Sequence, residues 1–136
     1  MDLVWVGEPN DGLALRCQER DAKGYPVSIE ATLITPGLEA RQVVYQHYAS
    51  GFDDLIDFFA GLEHEWRGWD GAKAFRSLEN DLLLEASHDG HVWLVVQLRP
   101  SPIDAGWSAT ATIRLDPGEQ LSQLVANLRG SLSRRS

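Results

Sequence analysis

Hydrophobic and polar residues alternate with period two along much of the chain. "LALRC" sets Leu13, Leu15 and Cys17 on one side. "VSIEATL" sets Val27, Ile29, Ala31 and Leu33 against Ser28, Glu30 and Thr32. "HVWLVVQLR" sets Val92, Leu94, Val96 and Leu98 against Trp93, Val95, Gln97 and Arg99. "WSATATIRL" sets Trp107, Ala109, Ala111, Ile113 and Leu115 against Ser108, Thr110, Thr112 and Arg114. Successive side chains of a strand point to opposite faces, so this pattern predicts strands with one buried face. Weaker strands are expected at 3–7, 40–48 and 81–87. "DAKGYP" and "TPG" mark turns, and "HDGH" predicts a hairpin between two apolar runs.

Two segments switch to helical spacing. Leu55, Ile56, Phe58, Phe59, Leu62 and Trp66 form one stripe, with Ser50 as the expected N-cap and Asp53 and Asp54 at the positive helix end. In "DPGE", Asp116 is the expected N-cap, Pro117 the first helical residue and Glu119 the return half of a capping box. Leu121, Leu124, Val125 and Leu128 follow on one face, with Gly130 as the expected stop. The order strands, helix, strands, helix predicts an α+β fold. We expect a mostly antiparallel sheet of six to seven strands, with both helices packed on one face. Its other face would be open and would show Glu30, Thr32, Glu85, Trp93, Gln97, Arg99, Thr110, Thr112 and Arg114.

Length adds that one domain, residues 1–136, is expected, large enough to bury a core without covalent staples. Residues 129–136 read as a basic, partly disordered tail. Cys17 is the single cysteine and sits on an apolar strand face, where a buried, inert thiol is expected. One cysteine, no signal-peptide pattern and no apolar run of membrane-spanning length point to a cytoplasmic protein with no membrane partner. Net charge is −8, and residues 1–128 carry 9 basic against 20 acidic side chains, or −11. Such a body repels phosphate backbones, so no nucleic-acid partner is expected; it favours a basic protein instead.

Candidate chemistry is sparse. His88 and His91 flank a turn, but no third or fourth ligand stands at a recognised spacing, so no metal or other cofactor is expected. There is no G-x-S-x-G elbow and no phosphate-binding glycine loop. No catalytic residue is assigned, and the reading is a non-enzyme. What stands out is acid along the first helix, from Asp53 and Asp57 to Asp70, together with the open sheet face. The candidate partner-binding residues are Asp53, Asp57, Asp70, Glu85, Trp93, Arg99 and Arg114. "WRGWDG" at 66–71 reads as a structural corner, with Trp66 closing the helix stripe, Gly68 ending the helix and Trp69 folding back.

Residues 51–99 resemble a bacterial family of unknown function. The shared pattern is W-x-G-W-x-G-x-K (Trp66, Gly68, Trp69, Gly71, Lys73), then S-L-E-x-x-L-x-L-x-A-x-H-D (Ser77 to Asp89), then G-H-V-x-L-x-V-x-L-R (Gly90 to Arg99). Phe75 departs from it, standing where Trp is usual. More loosely, the order of elements is similar to immunity proteins of the WapI type, which protect a bacterium from a polymorphic toxin. That likeness implies a non-catalytic inhibitor that caps a basic, toxin-like partner. A homodimeric interaction module is the alternative, and a small-molecule binder or enzyme is a third.

Overall fold

The computed structural model describes residues 3–100 and 106–134. Eight strands and two helices follow in the order β1 (Leu3–Glu8), β2 (Asp11–Arg20), β3 (Pro26–Thr35), β4 (Leu38–Tyr45), α1 (Asp53–His64), β5 (Lys73–Arg76), β6 (Leu82–His88), β7 (Val92–Leu98), β8 (Ala109–Leu115) and α2 (Glu119–Leu132). The strands form two four-stranded antiparallel meanders, β1-β2-β3-β4 and β5-β6-β7-β8. The fold is therefore α+β and antiparallel as expected, but with two sheets in place of one sheet of six to seven strands. Alternation tells which face of a strand is buried, not which sheet it joins. The eighth strand, β5, has four residues, too few for a period-two signal to register.

Both sheets turn their apolar faces into one core. The first contributes Val4, Val6, Leu13, Leu15, Ile29, Ala31, Leu33 and Val44, and the second Leu82, Leu84, Ala86, Val92, Leu94, Val96, Leu98, Ile113 and Leu115. Helices α1 and α2 pack on each other, α2 also against β1 and β2, and α1 against β5. They close the core with Leu55, Ile56, Phe59 and Leu62, and with Leu121, Leu124, Val125, Leu128 and Leu132. Each fully buried side chain of this kind stabilises by about 1.5–3 kcal/mol. Gly7 has φ +97°, and a Cβ there would come within 2.7 Å of Ile113 Cγ2. Only glycine combines that backbone conformation with so close an approach of β1 to β8.

The turns follow their residues. Asp21 Oδ1 accepts the N–H groups of Lys23 and Tyr25, each at 2.9 Å, and closes β2 onto β3. Gly90, at φ +105°, turns β6 into β7 across the "HDGH" hairpin. The helix ends differ from expectation. Phe52, not Ser50, precedes α1, and no side chain caps it. Ser50 offers its backbone carbonyl to Asp53 N–H at 3.1 Å instead. At α2 the return contact comes from Gln120, whose Oε1 accepts Asp116 N–H at 2.6 Å, and Gly118 is the N-cap. Gly130 does not stop α2, which runs on to Leu132 because that leucine is buried. The helix thus takes in the start of the basic tail, whose residues 135–136 lie outside those described. Cys17 is half-buried, not enclosed, with Sγ donating to the Glu19 carbonyl at 3.5 Å.

A buried polar cluster interrupts the core at the junction of the sheets. Ser77 Oγ donates to Asp81 Oδ1 at 2.6 Å and accepts the N–H groups of Asp81 and Leu82 at 3.0 and 2.9 Å. Gln42 of β4 donates to Asp81 Oδ2 at 3.3 Å, linking the first sheet to the second. Ser77 and Asp81 are 4% and 1% exposed. A buried carboxylate is tolerated only when its oxygens are bonded, so the cluster fixes the β5–β6 turn and the approach of the sheets. Ser77→Ala should lower stability by about 2–4 kcal/mol, read as a lower urea midpoint at an unchanged denaturant slope. A loss below about 0.5 kcal/mol would show that the hydroxyl is dispensable.

Candidate functional site

Three surface features could carry function, and the seven residues singled out from sequence are divided among them. The first is the "WRGWDG" corner. Trp66 lies beyond α1 and is 48% exposed, with the Arg67 guanidinium 5.0 Å from its ring centre. It does not close the helix stripe: α1 ends at His64, so the 3.6-residue period stops before Trp66. The anchored indole is Trp69. It packs against the core, donates Nε1–H to the Ala86 carbonyl at 3.3 Å and meets the His88 ring edge-on at 5.1 Å.

His88 holds the corner from the other side. Its Nδ1 accepts Gly90 N–H at 3.1 Å, so Nε2 carries the proton and donates to the Trp66 carbonyl at 2.9 Å. With both ring nitrogens engaged this way, His88 fastens the corner to β6. Gly68 lies beside that ring at φ +137°, a backbone conformation that side-chain-bearing residues rarely adopt. Lys73 pairs with Glu65 across the base of the loop and lies 5.6 Å from the Trp69 ring centre. Asp70 is exposed at the tip.

The second feature is the outer face of β5–β8. Cross-strand register aligns Ser87, Trp93 and Arg114 in one row, Ala74, Glu85, Val95 and Thr112 in the next, and Arg76, Leu83, Gln97 and Thr110 in a third. Glu85, Trp93 and Arg114 are therefore brought together, as sequence predicts. A shallow groove of about 440 Å³ runs between Arg76, Leu83, Glu85, Val95 and Gln97. Trp93 is oriented by Asp89, whose Oδ1 accepts its indole N–H at 2.8 Å. That bond, then the His91 N–H, holds the Asp89 carboxyl below the usual carboxylate range. Arg99 does not join this face. It follows β7, and its Nε donates to the Asn80 carbonyl at 2.8 Å, bracing the Ser77–Asp81 turn. Glu30 and Thr32 belong to the first sheet, where Glu30 pairs with Arg16 at 3.0 Å and Thr32 is buried.

The third feature lies where β4 gives way to α1. Tyr45, Tyr48 and Leu78 are 54%, 78% and 45% exposed. Tyr45, His47, Asp54 and Leu78 line one narrow slot, and the Tyr48 ring stacks on His47 at 4.7 Å. Burial pushes the Asp54 carboxyl above its ordinary value, against the lowering effect of the Leu55 N–H and His47, while Asp57 adds to the rise. The sequence gives no separate signal for these aromatics, because "YQHY" follows an alternating run and looks like its continuation. Asp53 serves the fold: its Oδ1 accepts Arg134 N–H at 3.0 Å and so moors the chain after α2. Asp57 is exposed on the same helix.

The close hydroxyl–carboxylate pair Ser77–Asp81 is sealed from any substrate. Among the described residues no group of three or more His, Cys, Asp or Glu side chains is placed to share an ion, and no helix is long and apolar enough to cross a membrane. Trp69→Ala should cost about 3 kcal/mol and Trp66→Ala under about 1 kcal/mol by chemical denaturation. The reverse order would contradict the assignment of Trp69 as the anchor.

No curated protein and no solved structure matches the chain. A family model covers residues 6–135, and the chain belongs to that family, described as a family of unknown function (DUF6228).

Proposed function

We propose that the protein is a non-catalytic binding protein, an immunity-like inhibitor that caps a basic, toxin-like protein inside the cytoplasm. The observation that carries this reading is charge. The chain has net charge −8. Glu30, Glu39 and Glu65 are held in ion pairs, while Asp11, Asp70, Glu79, Glu85, Asp116 and Glu119 are exposed, so much of the acid faces solvent. An uncompensated acidic surface costs self-repulsion, draws in a basic partner and raises its association rate. A second reading is a homodimer through the outer face of β5–β8. It is favoured by Arg76, Glu85 and Arg114, which form no ion pair among the described residues and surround the apolar Leu83 and Val95. Arginine and tryptophan on an uncovered face are the residue types that dominate interfaces.

Co-expression with a toxin-like protein encoded beside its gene should restore growth and yield a stable 1:1 complex by size-exclusion chromatography. Absence of both rescue and complex would reject the inhibitor. Sedimentation then decides the second reading: a dimer at high micromolar concentration, lost on Arg114→Glu, supports it, and a strict monomer opposes it.

A further inference from the structure

We infer that the surface between the end of β4 and the start of α1 is the docking site for a lysine- or arginine-bearing segment of the partner, seated on Tyr45, Tyr48 and Leu78 beside Asp54. This deepens the inhibitor reading and rests on it.

The apolar part of the patch is contiguous. Tyr45 and Leu78 belong to different sheets, on β4 and in the β5–β6 turn, yet both line the slot that His47 and Asp54 also line. Tyr48 extends the patch through its stack on His47, with the two rings 21° from parallel. The slot itself holds about 10 Å³, room for no more than one water-sized group. A partner therefore lies across its mouth and does not enter it.

The patch is also rigid. His47 and Gly51 exchange backbone hydrogen bonds in both directions, at 3.1 and 2.8 Å, closing the loop that carries Tyr48. His47 Nδ1 accepts Ala49 N–H at 3.1 Å, which fixes the ring on which Tyr48 stacks. A surface already held in shape loses little conformational freedom on binding, so more of its contact energy appears as affinity.

Charge selects the occupant. Asp54 sits in the slot wall, half-buried, with Asp57 one helical turn away. Burial and that like charge both oppose its ionisation. A cationic side chain laid over the tyrosines would favour the ionised Asp54 by direct attraction, offsetting both effects, and meet the negative faces of the rings. An acidic segment would meet repulsion from Asp54, Asp57 and the charge of the whole chain.

The test titrates the full-length, ¹⁵N-labelled chain with an unstructured peptide of about fifteen residues built from lysine, arginine and glycine. An acidic peptide of equal length is the control. Amide shifts should centre on Tyr45, His47, Tyr48, Asp54 and Leu78, and the acidic peptide should give none. Tyr48→Ala and Asp54→Asn should each weaken binding roughly fivefold. Tyr48 is largely exposed, and an asparagine keeps the acceptor for Leu55 N–H, so both variants should fold. Four results would each overturn the site: no binding; shifts centred on Trp93 and Val95; shifts spread evenly over all acidic residues; or wild-type affinity in both variants. Concentration-dependent shifts of the patch without peptide would assign it to a second copy of the chain and overturn it equally. A rescuing complex that leaves these amides unmoved would reject this surface while the inhibitor reading stands. Peptide binding at the patch without rescue by any neighbouring toxin would do the reverse.

Discussion

Two antiparallel meanders that share no strand pairing are held together by one apolar core, and every other feature of the molecule depends on that contact. Strand pairing runs only within each sheet, so ladder hydrogen bonds do not bring the two together. Burial does. Ile29, Leu33 and Leu15 from one side and Leu84, Leu94 and Val96 from the other share a single cluster, which the two helices close. Non-directional attraction of this kind sets distance loosely. Two local devices sharpen it. Gly7 lets β1 press against Ile113, and the Gln42–Asp81–Ser77 cluster gives the junction a polar lock.

That core also decides which surfaces are free. Because the helices and the first sheet occupy the inner side of β5–β8, its outer face is left with Trp93, Glu85 and Arg114 in cross-strand rows. Because β4 and the β5–β6 turn come together at the junction, Tyr45 and Leu78 meet over one slot although 33 positions separate them in the chain. The acid of α1 is not a uniform stripe. Asp53 moors residues Ser133 and Arg134, Glu65 pairs with Lys73, and Asp54 stands in the slot wall. Function is therefore better sought in the junction and the outer sheet face than along the helix.

Much of this is legible in the sequence where one residue type at one period suffices. The buried faces of β7 and β8, the stripe of α1 from Leu55 to Leu62 and the hairpin at Gly90 all follow from period and turn chemistry, whereas in β3 Ser28 and Thr32, on the side read as polar, are buried as well and Val27 only partly. Trp93 and Arg114 on one outer face follow from the same alternation. What cannot be read depends on contacts distant in the chain. The division into two sheets is one such case, since strand partners are chosen by packing. The roles of the two tryptophans in "WRGWDG" are another. Spacing extends the helix stripe to Trp66, but the carbonyl of Ala86 and the ring of His88, on β6, draw in Trp69. Ser77 stands in the "SLEND" stretch as an ordinary turn serine; only Gln42, from the other sheet, completes its carboxylate partner's bonding.

If the shared core is the basis of the fold, neither sheet is stable without the other. Trp5 reports on the first sheet and Trp93 on the second. Fluorine NMR of the 5-fluorotryptophan-labelled chain through a urea titration resolves the two. A single core predicts that both native resonances vanish at one midpoint and that far-ultraviolet circular dichroism falls at that same midpoint. Loss of one resonance while the other persists over a measurable urea interval would contradict the account, because it would show that one sheet holds its structure alone.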